Sequence, residues 1–442
     1  MLSPWLGILI VMVSLGALMG GLAIFQKYQQ PHPELVRKLL HIGMGLITLS
    51  FPWLFAQSWP VILLALLAVA VLLAVKFFKT ESLANVVHGV ARESLGEIYF
   101  PVAIAVLFAL SHQTPLLYII PVLILTLADA VAALIGVRYG QVKYTTAEGL
   151  KSTEGSIAFF TVALLSCLVP LLLFSKVGRA ELLLISLIIA TLVMYIEALS
   201  WKGLDNLFIP LGGYLLLKVY LDMNALDLSI RLAVIVVLFV VLVLTRKRTT
   251  LNDSAILAAA LAAYVIWAAG DWHWLVPALL VFVSYHRLSP KTELNTERIH
   301  DTRAVLSVAL PAMIWLFAFR QQGNAALYFP FSVSFAAQLA MIALARLHHQ
   351  YPQMNRIILW SRCVLQASLI ILLPWLLIVG LSLGLGWGHV AQGLFGVLLV
   401  LLATLLFYYL QPQIHDCPND NARYWRQGLI GLAMSGIALL LI

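Results

Sequence analysis

The chain has 442 residues, of which 62% are apolar and only 10% are charged, and its mean hydropathy is +0.98. A soluble globular domain has about 25% charged residues, so this composition excludes an ordinary soluble protein and predicts a polytopic membrane protein. The net charge of +8 does not indicate nucleic-acid binding, because the basic residues punctuate apolar runs. The three cysteines are far apart and form no CxxC motif, so they indicate neither a disulfide framework nor a zinc site.

The apolar runs predict an all-α fold, a transmembrane helix bundle of about 14–16 spans with roughly 20 residues each. The first run has no basic region before it, so it is interpreted as a retained span and not as a cleaved signal peptide. We place the spans at residues 4–25, 39–56, 59–76, 98–112, 115–137, 155–174, 180–199, 206–221, 229–245, 254–269, 274–287, 304–319, 325–346, 359–383, 389–410 and 427–442.

The basic residues also predict an orientation. With the N-terminus outside, 22 of the 27 Lys and Arg residues lie on one side of the spans and 5 on the other. Since cytoplasmic loops are enriched in these residues, we expect a multi-pass protein of a bacterial cytoplasmic membrane with its active site facing the cytoplasm. Four polar segments fall on this side, where nucleoside triphosphates are found: residues 34–41, 76–97, 138–156 and 197–206.

Asp129 is the most informative residue in the chain. It interrupts the apolar run from Leu116 to Val137, which is long enough to cross a bilayer. An ionisable group in such a run costs a few kcal/mol and by default marks a functional site. A structural interpretation would pair Asp129 with Arg138, but the two are about 13 Å apart along one helix. The sequence therefore favours a functional carboxylate.

A short basic loop follows this span. Lys151 and Ser152 resemble the Lys-Ser pair of phosphate-binding loops, although the spacing of a Walker motif is absent. The loop's glycines would let the backbone approach a ligand closely. We therefore predict nucleotide or phosphate binding by this segment, through residues Gly136, Arg138, Gly140, Lys151, Ser152 and Gly155.

A second candidate group begins the span at residue 39. Arg37 and His41 are four residues apart and share one face of a helix, with Lys38 beside them. Two cations and an imidazole could hold a polyphosphate or relay a proton. Taken alone, Arg37 and Lys38 favour a positive-inside anchor, whereas His41, inside the apolar run, favours a functional role.

A third group lies between two later spans. Glu197 is near the end of one span, and Asp205 and Asn206 begin the next, so a tight loop brings them together. Carboxylate and amide oxygens suit magnesium, which is usually bound by one or two carboxylates and substrate phosphates. Asp205 and Asn206 could instead cap the following helix.

A fourth polar segment, residues 92–101, leads into another span. Its charged residues, Arg92, Glu93 and Glu97, are equally consistent with a solvated loop end.

These segments, in this order, resemble the polyprenol, dolichol and phytol kinase family, whose members phosphorylate membrane-dissolved alcohols with CTP. The resemblance covers residues 30–222 and rests on RKLLH (37–41), LADAVAALIGVRYG (127–140), KSTEGS (151–156) and EALSWKGLDNLFIP (197–210). Phosphatidate cytidylyltransferases look like distant relatives with a similar acid and glycine-rich loop. Their longer C-terminal signature, with several aspartates and a histidine-glycine run, does not occur here, so the kinase is favoured.

The resemblance implies a scheme for these residues. CTP would dock with its phosphates on Lys151, Arg138, Arg37 and Lys38. One or two magnesium ions would be held by Asp129, Glu197 and Asp205, and His41 or one of the acids would accept the proton of the lipid hydroxyl. Asn206 and the loop glycines would complete the nucleotide site. The expected partners are a membrane lipid alcohol, a nucleoside triphosphate and the bilayer, with no nucleic acid.

The chain is predicted to consist of a catalytic transmembrane domain, residues 1–245, and an additional transmembrane domain, residues 246–442. The second half carries no intramembrane acid and no second copy of the motifs, so we expect it to be non-catalytic. Residues 251–319 faintly resemble the start of a phytyl-phosphate kinase type of family, without its acids. A secondary transporter or flippase remains the alternative from another class, but transporters place ionisable residues near the midplane of two related halves.

Overall fold

The apolar runs form helices throughout the computed structural model, which describes residues 3–78, 95–111, 113–146, 149–245, 251–288, 300–384, 386–411 and 421–442. Each of the sixteen predicted spans coincides with a helix, so the all-α polytopic bundle is confirmed. Nine helices within these ranges are long and apolar enough to cross a membrane. The chain divides into two units, residues 1–233 and 234–442, with a boundary inside a helix shortly before the predicted one.

The described part of unit 1 has ten α-helices, a π-helical segment and one hairpin. In chain order these are α1 (Pro4–Gln29), α2 (Pro33–Leu49), α3 (Phe51–Leu54), α4 (Trp59–Phe78), α5 (Gly96–Ser111), α6 (Pro115–Leu123), α7 (Asp129–Tyr139), β1 (Lys143–Thr146), β2 (Gly149–Ser152), α8 (Thr153–Phe174), α9 (Arg179–Leu199) and α10 (Asp205–Tyr220), and α11 (Ala225–Thr245) follows across the boundary.

The span that carries Asp129 is not a continuous α-helix. A π-helical segment, Ile124–Ala128, joins α6 to α7, and Asp129 is the first residue after it. Such π segments are rare and are often found at functional sites. Pro121, inside α6, lacks the backbone N–H that the regular hydrogen-bond pattern of an α-helix needs. The altered winding turns Asp129 toward α2.

A close helix contact brings α2 to this segment. A Cβ atom at Gly45 would overlap the Thr126 side chain in the π segment, so only glycine permits this approach. Farther along, Tyr118 of α6 donates a hydrogen bond to the carbonyl oxygen of Thr48 at 2.9 Å. These contacts place the first half of α2, which contains Lys38 and His41, beside Asp129.

The basic loop predicted between two spans is a β-hairpin. Strands β1 and β2 pair antiparallel, with Tyr144 opposite Lys151 and Lys143 opposite Ser152. Ser152 then caps α8, because its Oγ accepts a hydrogen bond from the Gly155 N–H at 3.1 Å. The hairpin therefore folds back over the end of unit 1 and does not extend away from it.

Unit 2 is also helical. Its elements after α11 are α12 (Asp253–Gly270), α13 (Trp272–Leu288), α14 (Thr302–Gln322), α15 (Tyr328–Gln350), α16 (Arg356–Ala367), α17 (Leu373–Leu383), α18 (Trp387–Leu410) and α19 (Asn421–Ile437). Helix α15 is the centre of this unit. In its most apolar stretch 94% of the residues are buried, whereas in the corresponding stretches of α14 and α18 only 33% are buried. The remaining outward faces are apolar and suit contact with lipid.

Candidate functional site

Asp129 is paired with a cation from another helix. Lys38 Nζ lies 2.7 Å from Asp129 Oδ2, and the two side chains are only 4% and 16% exposed. Ionisable side chains inside membrane proteins usually pair with one another. The pairing partner is therefore Lys38 and not Arg138, and Lys38, predicted to contact phosphate, is a buried counter-ion in this arrangement.

His41 is the second neighbour of Asp129. Its Nε2 atom lies 3.1 Å from the carbonyl oxygen of Leu125 in the π segment and 3.6 Å from Asp129 Oδ2. Both oxygens act as acceptors, so Nε2 carries the ring hydrogen and Nδ1 is the proton acceptor of the neutral imidazole. The ring packs edge-on against Phe100 of α5 at 5.5 Å, which restrains its orientation.

A second lysine–carboxylate pair lies in the same unit. Lys151 Nζ, at the end of β2, is 2.7 Å from Glu197 Oε1 and also donates to the Glu197 carbonyl oxygen. Burial by itself lowers the pKa of Lys151, but the Glu197 carboxylate outweighs that effect and holds the pKa above its usual value. Lys151 is therefore a permanent cation at neutral pH.

Asp205 is close enough to both pairs to interact electrostatically with Asp129, Lys151 and Lys38. The Asn206 N–H donates to Asp205 Oδ1 at 3.1 Å, and the Asn206 side chain amide contacts the same oxygen at 3.4 Å. Asn206 thus orients Asp205 at the start of α10. Glu197 and Asp205 both interact electrostatically with Lys151, and their common role in one site remains a prediction.

Two predicted arginines lie at the edge of the group. Arg37 forms a bidentate pair with Glu34 on its own helix, at 2.6 and 3.1 Å, and its side chain is 46% exposed. Arg138 is exposed at the end of α7, where its guanidinium stacks over the Tyr139 ring at 5.3 Å. Both cations are accessible to a ligand that approaches from outside the bundle.

The three loop glycines have a packing role. A Cβ atom at Gly136 would lie 3.0 Å from Ser152 Oγ, and one at Gly155 would lie 3.0 Å from the Ala132 carbonyl oxygen. A Cβ atom at Gly140 would be 2.6 Å from Ser152 Cβ. These glycines let α7 approach α8 and the hairpin, and Ser152 is the cap of α8. Their predicted contact with a ligand remains a prediction.

Of the fourth polar segment, the structure describes residues 95–101. Arg92 and Glu93 lie outside the described residues. The Leu95 N–H donates to the Lys202 carbonyl oxygen at 3.1 Å, in the loop that precedes Asp205, and Phe100 packs on His41. This segment therefore supports the site from one side.

The group has as many basic as acidic side chains. The basic ones are Arg37, Lys38, Arg138 and Lys151, and the acidic ones are Glu34, Asp129, Glu197 and Asp205. Within the described ranges, no three His, Cys, Asp or Glu side chains are arranged to hold a metal ion. The predicted three-acid metal site is thus not preformed, because two of the three carboxylates, Asp129 and Glu197, are paired with lysines.

Sequence reasoning missed two features that build this site. The π segment before Asp129 could have been suspected from Pro121, and the role of Lys38 as a counter-ion has no local signal, since its partner is 91 residues away.

Comparisons with known proteins agree with the resemblance in the motifs. No family model matches the chain, and no solved structure matches it. A phytol kinase of Synechocystis sp. is 27% identical over 219 residues, which are 49% of this chain and 91% of that protein. The match spans almost the whole relative, which is about half the length of this chain. Over about half of its length, this integral membrane protein is therefore similar to a phytol kinase.

Proposed function

We propose that the protein phosphorylates a membrane lipid alcohol, with CTP as the phosphoryl donor, at the cytoplasmic face of the membrane. The observation that carries the proposal is the group of two lysine–carboxylate pairs near Asp205, inside an apolar bundle. The relationship to a phytol kinase supports the reaction class. The alcohol is an isoprenoid such as phytol, a polyprenol or a dolichol.

The donor's phosphates approach from the hairpin end of unit 1. Arg138 and Arg37 are exposed there, and Lys151 lies behind them at 25% exposure. Lys151 can pass from Glu197 to a phosphate oxygen through a change of its own side-chain rotamer. A charge-assisted bond to phosphate would replace the charge-assisted bond to carboxylate. Lys151 would therefore exchange the Glu197 carboxylate for a phosphate and would stay paired with an anion.

Magnesium suits the oxygen donors of this group at Asp129 and Asp205. The ion is usually held by one or two carboxylates together with substrate phosphates, so a preformed cage is not required. When bound, magnesium would neutralise charge on the phosphates of the donor. Glu197 is assigned to Lys151 and not to the metal.

In the proposed reaction the hydroxyl oxygen of the lipid attacks the γ-phosphorus of CTP. A bond forms between these two atoms, the bond from the γ-phosphorus to the β–γ bridging oxygen breaks, and CDP leaves. The hydroxyl proton passes to Nδ1 of His41, whose Nε2 hydrogen is held by the Leu125 carbonyl oxygen at 3.1 Å. Phosphoryl transfer depends mainly on positioning and charge neutralisation, which these residues supply.

The proposal is tested with purified protein in lipid nanodiscs. The protein is incubated with magnesium, γ-labelled CTP or ATP, and a panel of phytol, farnesol, a polyprenol and diacylglycerol. We expect label in an isoprenoid monophosphate with CTP as donor, and none with Asp129→Asn. Labelled product from ATP alone would remove the CTP assignment. Transfer of a cytidylyl group, followed with α-labelled CTP and phosphatidate, would favour the cytidylyltransferase. If no lipid is labelled in the presence of nucleotide, the result would favour the alternative of a secondary transporter or flippase.

A further inference from the structure

Unit 2 contains a cavity that the proposed kinase reaction does not use. Its volume is about 170 Å³, and its walls are provided mainly by α12, α13, α14 and α15. A dry cavity of about 150 Å³ lined by apolar side chains is large enough to take up a small apolar molecule. The space is therefore suited to one apolar chain and not to a two-chain lipid.

The lining of this cavity changes along its length. Its inner part is apolar, with Ala262 and Ile266 on α12, Phe282 on α13 and Phe335 on α15. Its other end is polar and lies where the helices of unit 2 begin or end, and there it is lined by Tyr285, His300, Arg346, Arg423, Tyr424 and Gln427. Arg346 and Phe335 are eleven residues apart on α15, so the gradient extends over about 16 Å.

The polar end carries buried positive charge. Arg346 and Arg423 are 6% and 7% exposed, and His300 is 8% exposed. Charged side chains within a membrane bundle are costly and mark ligand or ion sites by default. The lining residues that the structure describes include no Asp or Glu. The acid that follows His300, Asp301, is held by Arg303 at 2.7 Å and by the start of α14.

The polar groups belong to an ordered network. His300 Nδ1 lies 3.2 Å from the Tyr424 hydroxyl, and the Tyr285 ring packs edge-on against the His300 ring at 6.0 Å. The backbone of His300 also accepts a hydrogen bond from Asn252 N–H at 2.9 Å. Both arginines have interactions of their own within the protein, so a ligand would join a preorganised site.

We propose that this cavity is a binding site for a single-chain anionic lipid, with the chain between α12 and α15 and the phosphate or carboxylate head group at Arg346 and Arg423. An apolar interior matches the chain, and an end lined by two buried arginines and a histidine matches an anionic head group. The proposal concerns binding in unit 2 and does not depend on the kinase reaction proposed for unit 1.

The test uses the full-length protein in nanodiscs and dodecyl phosphate that carries a photoreactive diazirine in its chain. After illumination, cross-linked peptides are located by mass spectrometry. We expect labelling of α12, α14 or α15, and competition by unlabelled dodecyl phosphate but not by dodecanol. Competition by laurate as well would extend the site to carboxylates, and its failure would restrict the site to phosphates. Equal competition by dodecanol would overturn the anionic assignment.

Variants locate the site. Arg346→Gln and Arg423→Gln should each reduce labelling of unit 2 at least tenfold. Ala262→Phe fills the cavity and should do the same, whereas Val283→Phe, at a 51% exposed position on α13, is the matched control and should label as the wild type does. If an arginine variant fails to fold, the comparison of Ala262→Phe with Val283→Phe still tests whether the cavity binds the probe. Unchanged labelling in Ala262→Phe, with a wild-type elution profile, would refute the site.

Discussion

Lys38 and Asp129 are 91 residues apart in the sequence, yet their charged atoms meet at 2.7 Å inside unit 1. The pair joins α2 to the start of α7, and it is bounded by His41 on one side and by the π segment on the other. A carboxylate that would be costly alone in a membrane helix is thereby stabilised and held in one orientation.

Asp129→Asn should abolish lipid phosphorylation while the protein remains inserted and folded. The amide keeps the shape of the carboxylate but loses the charge proposed to hold magnesium. Turnover is measured with labelled CTP, and folding is checked by elution profile and thermal midpoint. Wild-type turnover in this variant would make Asp129 structural.

The partner residue provides a separate test. Lys38→Met leaves the Asp129 carboxylate buried without its cation, and removal of one partner of a buried pair costs about 3–5 kcal/mol of stability. The double variant Lys38→Met, Asp129→Asn should recover most of this stability and remain inactive. A double variant as unstable as Lys38→Met would show that the ion pair is not what couples the two residues.

Lys151→Ala should weaken nucleotide binding, seen as at least a tenfold rise in the KM for CTP with a smaller change in kcat. Lys143→Ala, on the paired strand of the same hairpin, is the control and should change KM little. Equal effects of the two variants would indicate general electrostatic attraction by the hairpin.

The Lys151 and Glu197 pair also predicts a pH dependence. The pKa of Lys151 in the folded protein lies above its usual value. The stability that the pair gives to the folded protein is therefore complete below the pKa of an unfolded lysine, about 10.4. It is lost only as the pH rises through the pKa of Lys151 in the folded protein. The difference in thermal midpoint between wild type and Lys151→Ala should stay constant from pH 6 to pH 9. A difference that shrinks across this range would contradict the pairing.

Activity should require magnesium and stop in EDTA. Asp205→Asn should raise the magnesium concentration needed for half-maximal turnover, because it removes a carboxylate that is proposed to hold the metal and that the Asn206 N–H orients. Glu197→Gln should act mainly on the KM for CTP, since Glu197 positions Lys151. Full turnover in EDTA would exclude the metal, and a magnesium effect confined to Glu197→Gln would reverse the two assignments.

Unit 1 should be sufficient for the chemistry. A chain that ends after Arg248 retains α1 to α11 and the whole lysine–carboxylate group, so it should phosphorylate the same alcohol, with reduced stability. Helices in membranes pack without regard to sequence order, and an inserted but inactive truncation would show that unit 2 takes part in catalysis or substrate capture.

The motifs alone were informative about which segments matter. Asp129, Lys151, Glu197 and Asp205 were identified from the sequence because charged residues are conspicuous in an apolar chain. Composition and span length likewise determined the all-α membrane fold, since only helices and closed barrels satisfy the backbone within a bilayer.

Tertiary structure decided which charged side chains pair with one another. The sequence assigned Lys38 and Lys151 to phosphate and the acids to metal, whereas the fold pairs each lysine with an acid, 91 and 46 residues away. The loop glycines were assigned to a ligand, and the fold uses them to bring α7 against α8. Local sequence reveals which side chains are costly to bury, but only the packing of distant helices determines which charges neutralise one another.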